Sequence, residues 1–411
     1  RKYSISSFLW RGRMGMLIAL AIGVMVYFFN PGGWWLALPF CLLWLLSPFI
    51  ARAISLPPVD INVEELDVDE ETELRLIARR TWRFFTTFVV AQDHHLPPDN
   101  FQEDPQPVIA HRTSPTNFGL YLLSVVTARD FGWIGLNEMM RRLEATMETL
   151  KKLPRYHGHF YNWYETERLE VLSPRYISTV DSGNLAGHLF PLAQACKDAR
   201  AQNVLRPTTV AGMRDAVLLL RLAIDGIGRE LRTQTVSIND LRKGAEQFSD
   251  FLLATSTAPP AYAFWKKMAE RSEDLFDLAQ AFSAEIQIPD NEVLTWANEL
   301  REAVHTHCND FIVIMPWAHL EELDAANGQN AELWQLVNEQ VNLNVALEDL
   351  PTCYLAARRD IARLFSSQNR LDPDVIPQAL FDMLDGALMQ AAVVSICLLY
   401  TSPSPRDKRQ S

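Results

Sequence analysis

Three stretches of the chain carry side chains that helix packing alone does not call for. In the first, His111-Arg112-Thr113-Ser114-Pro115-Thr116-Asn117 follows Leu96-Pro97-Pro98-Asp99-Asn100-Phe101-Gln102-Glu103. Hydroxyls, an amide and a guanidinium meet there at the start of a helix, where unpaired backbone N–H groups also point outward. Such a group can hold a polar ligand such as a sugar, with His111, Arg112, Thr113 and Asn117 as its binding candidates; equally, Ser114 can be a plain N-cap and Asn117 a satisfied first-turn residue. The second, Tyr156–Glu165, is mostly aromatic or histidine and falls between helices. Trp163 and Tyr164 beside the carboxylate of Glu165 suit a pyranose, whose C–H face packs on a ring while its hydroxyls need acceptors. The competing reading is core packing, and a zinc site from His157 and His159 lacks a third ligand at suitable spacing. In the third, Ser178–His188, Asp181, Ser182 and Asn184 stand among small residues that permit a close backbone approach. Asp181 reads either as a helix cap or as a hydroxyl acceptor and acid/base group. His305-Thr306-His307-Cys308 reads as a surface helix terminus.

The elements around these stretches are helical. Leu74, Ile77, Ala78, Trp82, Phe85 and Phe88 recur at three and four residues. Ser114-Pro115 opens a helix that Gly132 closes. Further helices are expected from Asn137 to just before Pro154, from Asp181 or Ser182 toward Asp198 with a kink at Pro191, and over 208–232, 238–255, 261–285, 291–307, 331–342, 352–366 and 373–394. No run alternates with period two. The region 74–396 is therefore expected to be all-α, and successive helix pairs suggest a toroid or solenoid more than a four-helix bundle.

The 411 residues are 48% hydrophobic and 21% charged, which excludes wholesale disorder. The net charge of −12 disfavours a nucleic-acid partner. Five scattered cysteines, without a CxxC, form neither a disulfide framework nor a zinc module. Residues 14–29 and 34–50 are free of charge, and Asn30-Pro31-Gly32-Gly33 joins them as a turn. With Arg1, Lys2, Arg11 and Arg13 before them and Arg52 after, residues 1–55 read as a transmembrane hairpin with both ends cytoplasmic. Residues 56–73 read as an acidic linker.

Longer strings then link up: Pro97–Glu103 (PPDNFQE), His111–Ser124 (HRTSPTNFGLYLLS), Ala128–Gly135 (ARDFGWIG), Gly158–Thr166 (GHFYNWYET) and Ser178–Leu189 (STVDSGNLAGHL). Together, and after a membrane hairpin, they resemble cyclic β-1,2-glucan synthase. The close match covers about residues 74–198. The resemblance implies a bacterial inner-membrane, multi-pass protein in which a transferase uses UDP-glucose and a divalent metal. A middle (α/α)6-toroid, glucoamylase-like, cyclises linear β-1,2-glucan by retaining transglycosylation, and a phosphorylase-like domain follows. It implies that this chain holds the final transferase spans and the opening half of the cyclisation domain, without a cofactor of its own. The catalytic carboxylates would then lie beyond the chain, with Glu165 and Asp181 as fallback candidates; Glu165 stands where the family usually has aspartate. Residues 397–411 resemble sequencing-adapter read-through, and both ends read as truncated. The alternative is a membrane-tethered carbohydrate-binding or scaffold module without catalysis.

Overall fold

The computed structural model describes residues 4–56, 66–227, 236–254, 262–286, 291–325, 331–341, 345–367 and 375–401. Half of the acidic linker (57–65) and most of the adapter-like tail (402–411) lie outside them. The chain divides into two compact units, Arg1–Val68 and Asp69–Ser411.

In the first unit, α1 (Ile5–Phe29) and α2 (Trp34–Ser55) pack on each other across a 3-10 turn at Pro31–Gly33. At 1.5 Å per residue each is long enough to cross a hydrocarbon core of ~30 Å. Both are also apolar enough to do so. Gly12 lets them approach, since a Cβ there would fall 2.7 Å from Pro48 Cγ. Among the described residues of α1 and α2 only Ala19, Cys41 and Pro48 are buried, so their apolar surface faces outward nearly everywhere.

The second unit contains α3 (Val68–Phe88), α4 (Pro115–Asp130), α5 (Leu136–Lys152), α6 (Thr179–Arg200), α7 (Thr208–Gly226), α8 (Ile238–Ala254), α9 (Tyr262–Ile286), α10 (Glu292–Ile314), α11 (Ala318–Ala325), α12 (Ala331–Gln340), α13 (Leu350–Ser367) and α14 (Val375–Thr401). The all-α expectation is met. The described residues add α11 and three pairs of two-residue strands, which are too short to show alternation in the sequence. One apolar core joins α4, α5, α6 and α12–α14 with Trp82 of α3. A second is built from α7–α10.

The tight turn from α4 to α5 meets α7 and α10, and the string Ala128–Gly135 serves this junction. Gly132 has φ +82°, and a Cβ on it would lie 2.1 Å from the Thr208 carbonyl oxygen. A Cβ on Gly212 would meet the Gly132 backbone at 2.2 Å. Asp310 of α10 caps α5 from outside: it accepts from Leu136 N, and from Asn137 N and Nδ2 at 2.9 Å. Burial pushes its carboxyl up to about 6 against these donors. His307 Nε2 donates to the Gly132 carbonyl at 2.9 Å, and burial brings this imidazole down to about 4. The segment 305–308 therefore sits inside α10 as a packing surface for the turn. Reading it as a surface helix end is corrected, because α10 continues to Ile314 where its apolar spacing persists.

α3 is held by arginines at i, i+4 and i+8. Arg75 pairs with Asp215 at 2.6 Å, Arg79 with Glu299 at 2.7 Å and Arg83 with Glu292 at 3.3 Å. Their guanidiniums also lie over Phe131, Trp133 and Trp296.

Candidate functional site

The loop before α4 is fixed from below. His94 and His95 adopt left-handed backbone conformations, φ 52° and 59°. Their carbonyls accept from Thr149 Oγ1 at 2.7 Å and Thr146 Oγ1 at 2.8 Å on α5. The chain then forms a small hairpin, β1 (Phe101–Gln102) against β2 (Val108–Ile109), and passes into β3 (Arg112–Thr113). Ser114 is extended and caps α4, accepting from Asn117 N at 3.4 Å with Pro115 in the first turn, as its sequence pattern predicts.

The aromatic stretch is a second hairpin followed by a strand. β4 (Arg155–Tyr156) pairs with β5 (His159–Phe160) across His157-Gly158, both at positive φ, 48° and 83°. Two left-handed central residues are what a type I′ two-residue hairpin turn requires, so His157 serves the turn. β6 (Tyr164–Glu165) returns to pair with β3 in the register Arg112↔Glu165 and Thr113↔Tyr164. Sequence-distant candidates thus become neighbours through two residue pairs of backbone ladder.

The helix start in the third stretch differs from the expectation. α6 begins at Thr179, and its cap is Ser178, whose hydroxyl accepts from Asp181 N at 3.1 Å. Asp181 therefore stands in the first turn, its carboxylate free of capping duty. It accepts from Thr116 Oγ1 of α4 at 2.7 Å. Asn162 turns its Nδ2 toward Asp181 Oδ2 at 2.8 Å, and its carbonyl oxygen then accepts from Tyr176 OH at 2.7 Å and Trp163 Nε1 at 2.8 Å. Asn184 Nδ2 donates to Thr116 Oγ1 at 3.2 Å.

These contacts close a circuit. From Asp181 it runs through Asn162 to the Trp163 indole, whose ring lies 4.9 Å beneath the Arg112 guanidinium. Arg112 donates to Asp99 Oδ2 at 2.9 Å, and Asp99 Oδ1 accepts from Asn117 Nδ2 at 3.3 Å. Asn117 adjoins Thr116, which returns to Asp181. The N-terminal turns of α4 and α6 are thereby tied to the aromatic strand. α4 and α6 approach closely because position 119 is glycine; a Cβ there would lie 2.2 Å from His188 Nδ1.

The other candidates take supporting places. Thr113 and Tyr164 are wholly buried. Tyr164 OH donates to the Pro154 carbonyl at 2.7 Å and accepts from Tyr161 N at 2.8 Å, and burial pushes its phenol up to about 12. Glu165 folds onto its own turn, one oxygen accepting from Glu167 N at 3.0 Å and the other from Arg168 N at 2.7 Å. Ser182 is half-buried beside Asp181. His111 Nδ1 donates to Asp93 at 2.8 Å, and Thr166 Oγ1 donates to the same oxygen. The bond to Asp93 holds the His111 pKa above its ordinary value.

Asp99, Thr116 and Asn162 lie within the sequence motifs but carry no sign of this role there, and Asp93 and Tyr176 lie in no candidate group. Their importance lies in long-range contact, which spacing does not reveal.

No family model matches the chain. Over 311 residues it is 39% identical to cyclic β-(1,2)-glucan synthase NdvB of Rhizobium meliloti (strain 1021). That stretch is 74% of this chain and 11% of that protein, so the chain spans about a tenth of the relative's length. The resemblance read from the linked motifs is borne out: the chain is a sequence relative of a segment of such a synthase.

Proposed function

We propose, from this kinship, that the helical unit supplies the glucan-binding wall of a domain that cyclises linear β-1,2-glucan. Cyclisation is intramolecular transglycosylation: a glycosidic bond is cleaved and the chain's own far end replaces water as acceptor. A retaining scheme of this kind uses two carboxylates, a nucleophile and an acid/base group. On this reading the unit is part of an (α/α)6 toroid and needs no cofactor. UDP-glucose and a divalent metal belong to a transferase domain elsewhere in such a protein, which with a phosphorylase-like domain would be its covalent partner. The hairpin α1–α2 would lie in the bilayer of a bacterial inner membrane, with the helical unit cytoplasmic.

The observation that supports this most is the circuit from Asp181 through Asn162, Trp163, Arg112, Asp99 and Asn117. It combines an aromatic ring, carboxylate acceptors and amide and guanidinium donors at one place, the set a pyranose chain requires. Titration calorimetry with linear β-1,2-glucan tests it. Saturable binding that weakens on Trp163→Ala and on Asp181→Ala is expected. Equal affinity in all three proteins would end the reading.

A second reading, a membrane-tethered carbohydrate-binding module without chemistry, draws support from the fallback pair. Both oxygens of Glu165 hold backbone N–H groups and both oxygens of Asp181 hold side-chain donors.

A further inference from the structure

A cleft of about 460 Å³ opens between α3, α5 and α10, apart from the circuit just described. Its size falls in the range of small-molecule sites, ~300–1,000 Å³. Its walls carry Arg79, Arg141 and Arg142 against Glu138, Glu299 and Glu302, so its charge is balanced. The pairs are made: Glu138 takes Arg141 and Arg142, each at 2.7 Å, and Glu299 takes Arg79 at 2.7 Å and Thr86 at 2.9 Å. No counter-ion is called for, and an anion would meet three carboxylates.

What is short is acceptors. Arg79 and Trp82 both line the cleft and are almost wholly buried, 1% and 3% exposed. Arg79 spends Nη2 on Glu299, while its Nε and Nη1 and the Trp82 Nε1 are enclosed without an acceptor among the described residues, so a guest reaches them only when a covering side chain moves. Buried N–H groups left this way are costly, which favours whatever brings them oxygen. The guest that fits is neutral and carries acceptors for these donors together with hydroxyl donors for the carboxylates. Glycosyl units have that character. Little aromatic face is open here, since Trp82 and Trp133 are both buried, and Arg142 lies over the Trp82 ring at 5.4 Å. Recognition would be through hydrogen bonds, with Arg142 swinging aside to admit the guest.

We infer that the α3–α5–α10 cleft is a second site for a neutral polyhydroxylated chain, binding through Arg79, Trp82 and their carboxylate neighbours. The identity of that chain as β-1,2-glucan rests on the function proposed above. The test is 19F NMR of the full chain, labelled with 5-fluorotryptophan in detergent micelles and titrated with a linear β-1,2-linked glucose oligosaccharide. Trp82→Phe and Trp163→Phe assign the two resonances. A saturable shift of the Trp82 resonance is expected, and it should persist in Asp181→Ala. Asn298→Phe adds bulk at the cleft wall without touching the Arg79–Glu299 pair; it should weaken the Trp82 response at least tenfold and leave the Trp163 response unchanged. A Trp82 resonance unmoved while Trp163 saturates would overturn the inference, and the cleft would hold water only. A Trp82 response indifferent to Asn298→Phe would overturn it as well. If Trp82 responds and Trp163 does not, the circuit loses its glucan assignment and the cleft keeps its own; silence from both removes both.

Discussion

Asp181 and Glu165 are both acidic, both near helix or strand ends, and chemically interchangeable in the sequence. Their surroundings separate them. Asp181 gathers Thr116 from α4 and Asn162 from the aromatic stretch, whereas Glu165 serves backbone N–H groups two and three residues along its own turn. Replacing Asp181 by alanine strands two donors and opens the circuit. A loss of ~1–3 kcal/mol in stability is expected, measurable by denaturant unfolding. His111 makes a separate, pH-linked contribution. Its pKa is raised above 6.5 chiefly by the Asp93 hydrogen bond, so the folded protein holds the proton more tightly than the unfolded chain. That stabilisation is complete below the unfolded value of 6.5 and is lost as pH rises through the raised one. The difference in unfolding midpoint between wild type and His111→Gln should therefore shrink as pH climbs through this window. A difference that grows with pH would contradict it. His111, Asn117 and Asp181 were legible as polar residues at helix starts. Their partners were not, because Asp93, Asn162 and Thr116 acquire meaning only when elements from different parts of the chain meet.

Helices were the easiest elements to read, since an apolar stripe at three- and four-residue spacing needs no tertiary information. Starts and ends were harder. Ser178 and Asp181 are both good caps by residue type, and the hydrogen bond from Asp181 N to Ser178 Oγ decides between them. His-Thr-His-Cys looks polar enough to end α10, yet His307 is buried against the α4–α5 turn and the helix runs on to Ile314. The arginines of α3 likewise look like a solvated face until their carboxylates on α7 and α10 are seen. Glycine offers a clean test at this scale. Gly132 and Gly158 have nearly equal φ, 82° and 83°, yet a Cβ on Gly158 meets nothing within 4 Å while one on Gly132 strikes the Thr208 backbone. Gly158→Ala should cost roughly 1–2 kcal/mol, the left-handed strain alone. Gly132→Ala adds a clash against backbone that cannot rotate away and should cost more than ~4 kcal/mol. Equal losses in urea unfolding would mean that the α4–α7 junction is looser than its geometry implies.

At the scale of the molecule, the question is whether binding and chemistry reside together. The circuit has the composition of a sugar site, and the sequence relative is a synthase, but a retaining transglycosylase also needs two carboxylates about 5–5.5 Å apart across the scissile bond. A nucleophile must keep an oxygen free to attack, and an acid/base group must keep one free to exchange a proton with the leaving or accepting hydroxyl. Glu165 and Asp181 are the fallback candidates for these two roles, and each has both oxygens engaged by donors that also hold the local fold. Freeing either for chemistry would dismantle the turn or the α4–α6 tie that positions the site. On the function proposed above, the expected outcome is that the chain binds linear β-1,2-glucan and leaves it unchanged. Incubation with the linear polymer, followed by mass spectrometry, should show neither rings, which are lighter than the linear chain of equal length by one water, nor shortened chains. Robust turnover that disappears in Glu165→Gln or Asp181→Asn would reverse this conclusion and make those two residues the catalytic pair, with their present hydrogen bonds describing a resting state that substrate displaces.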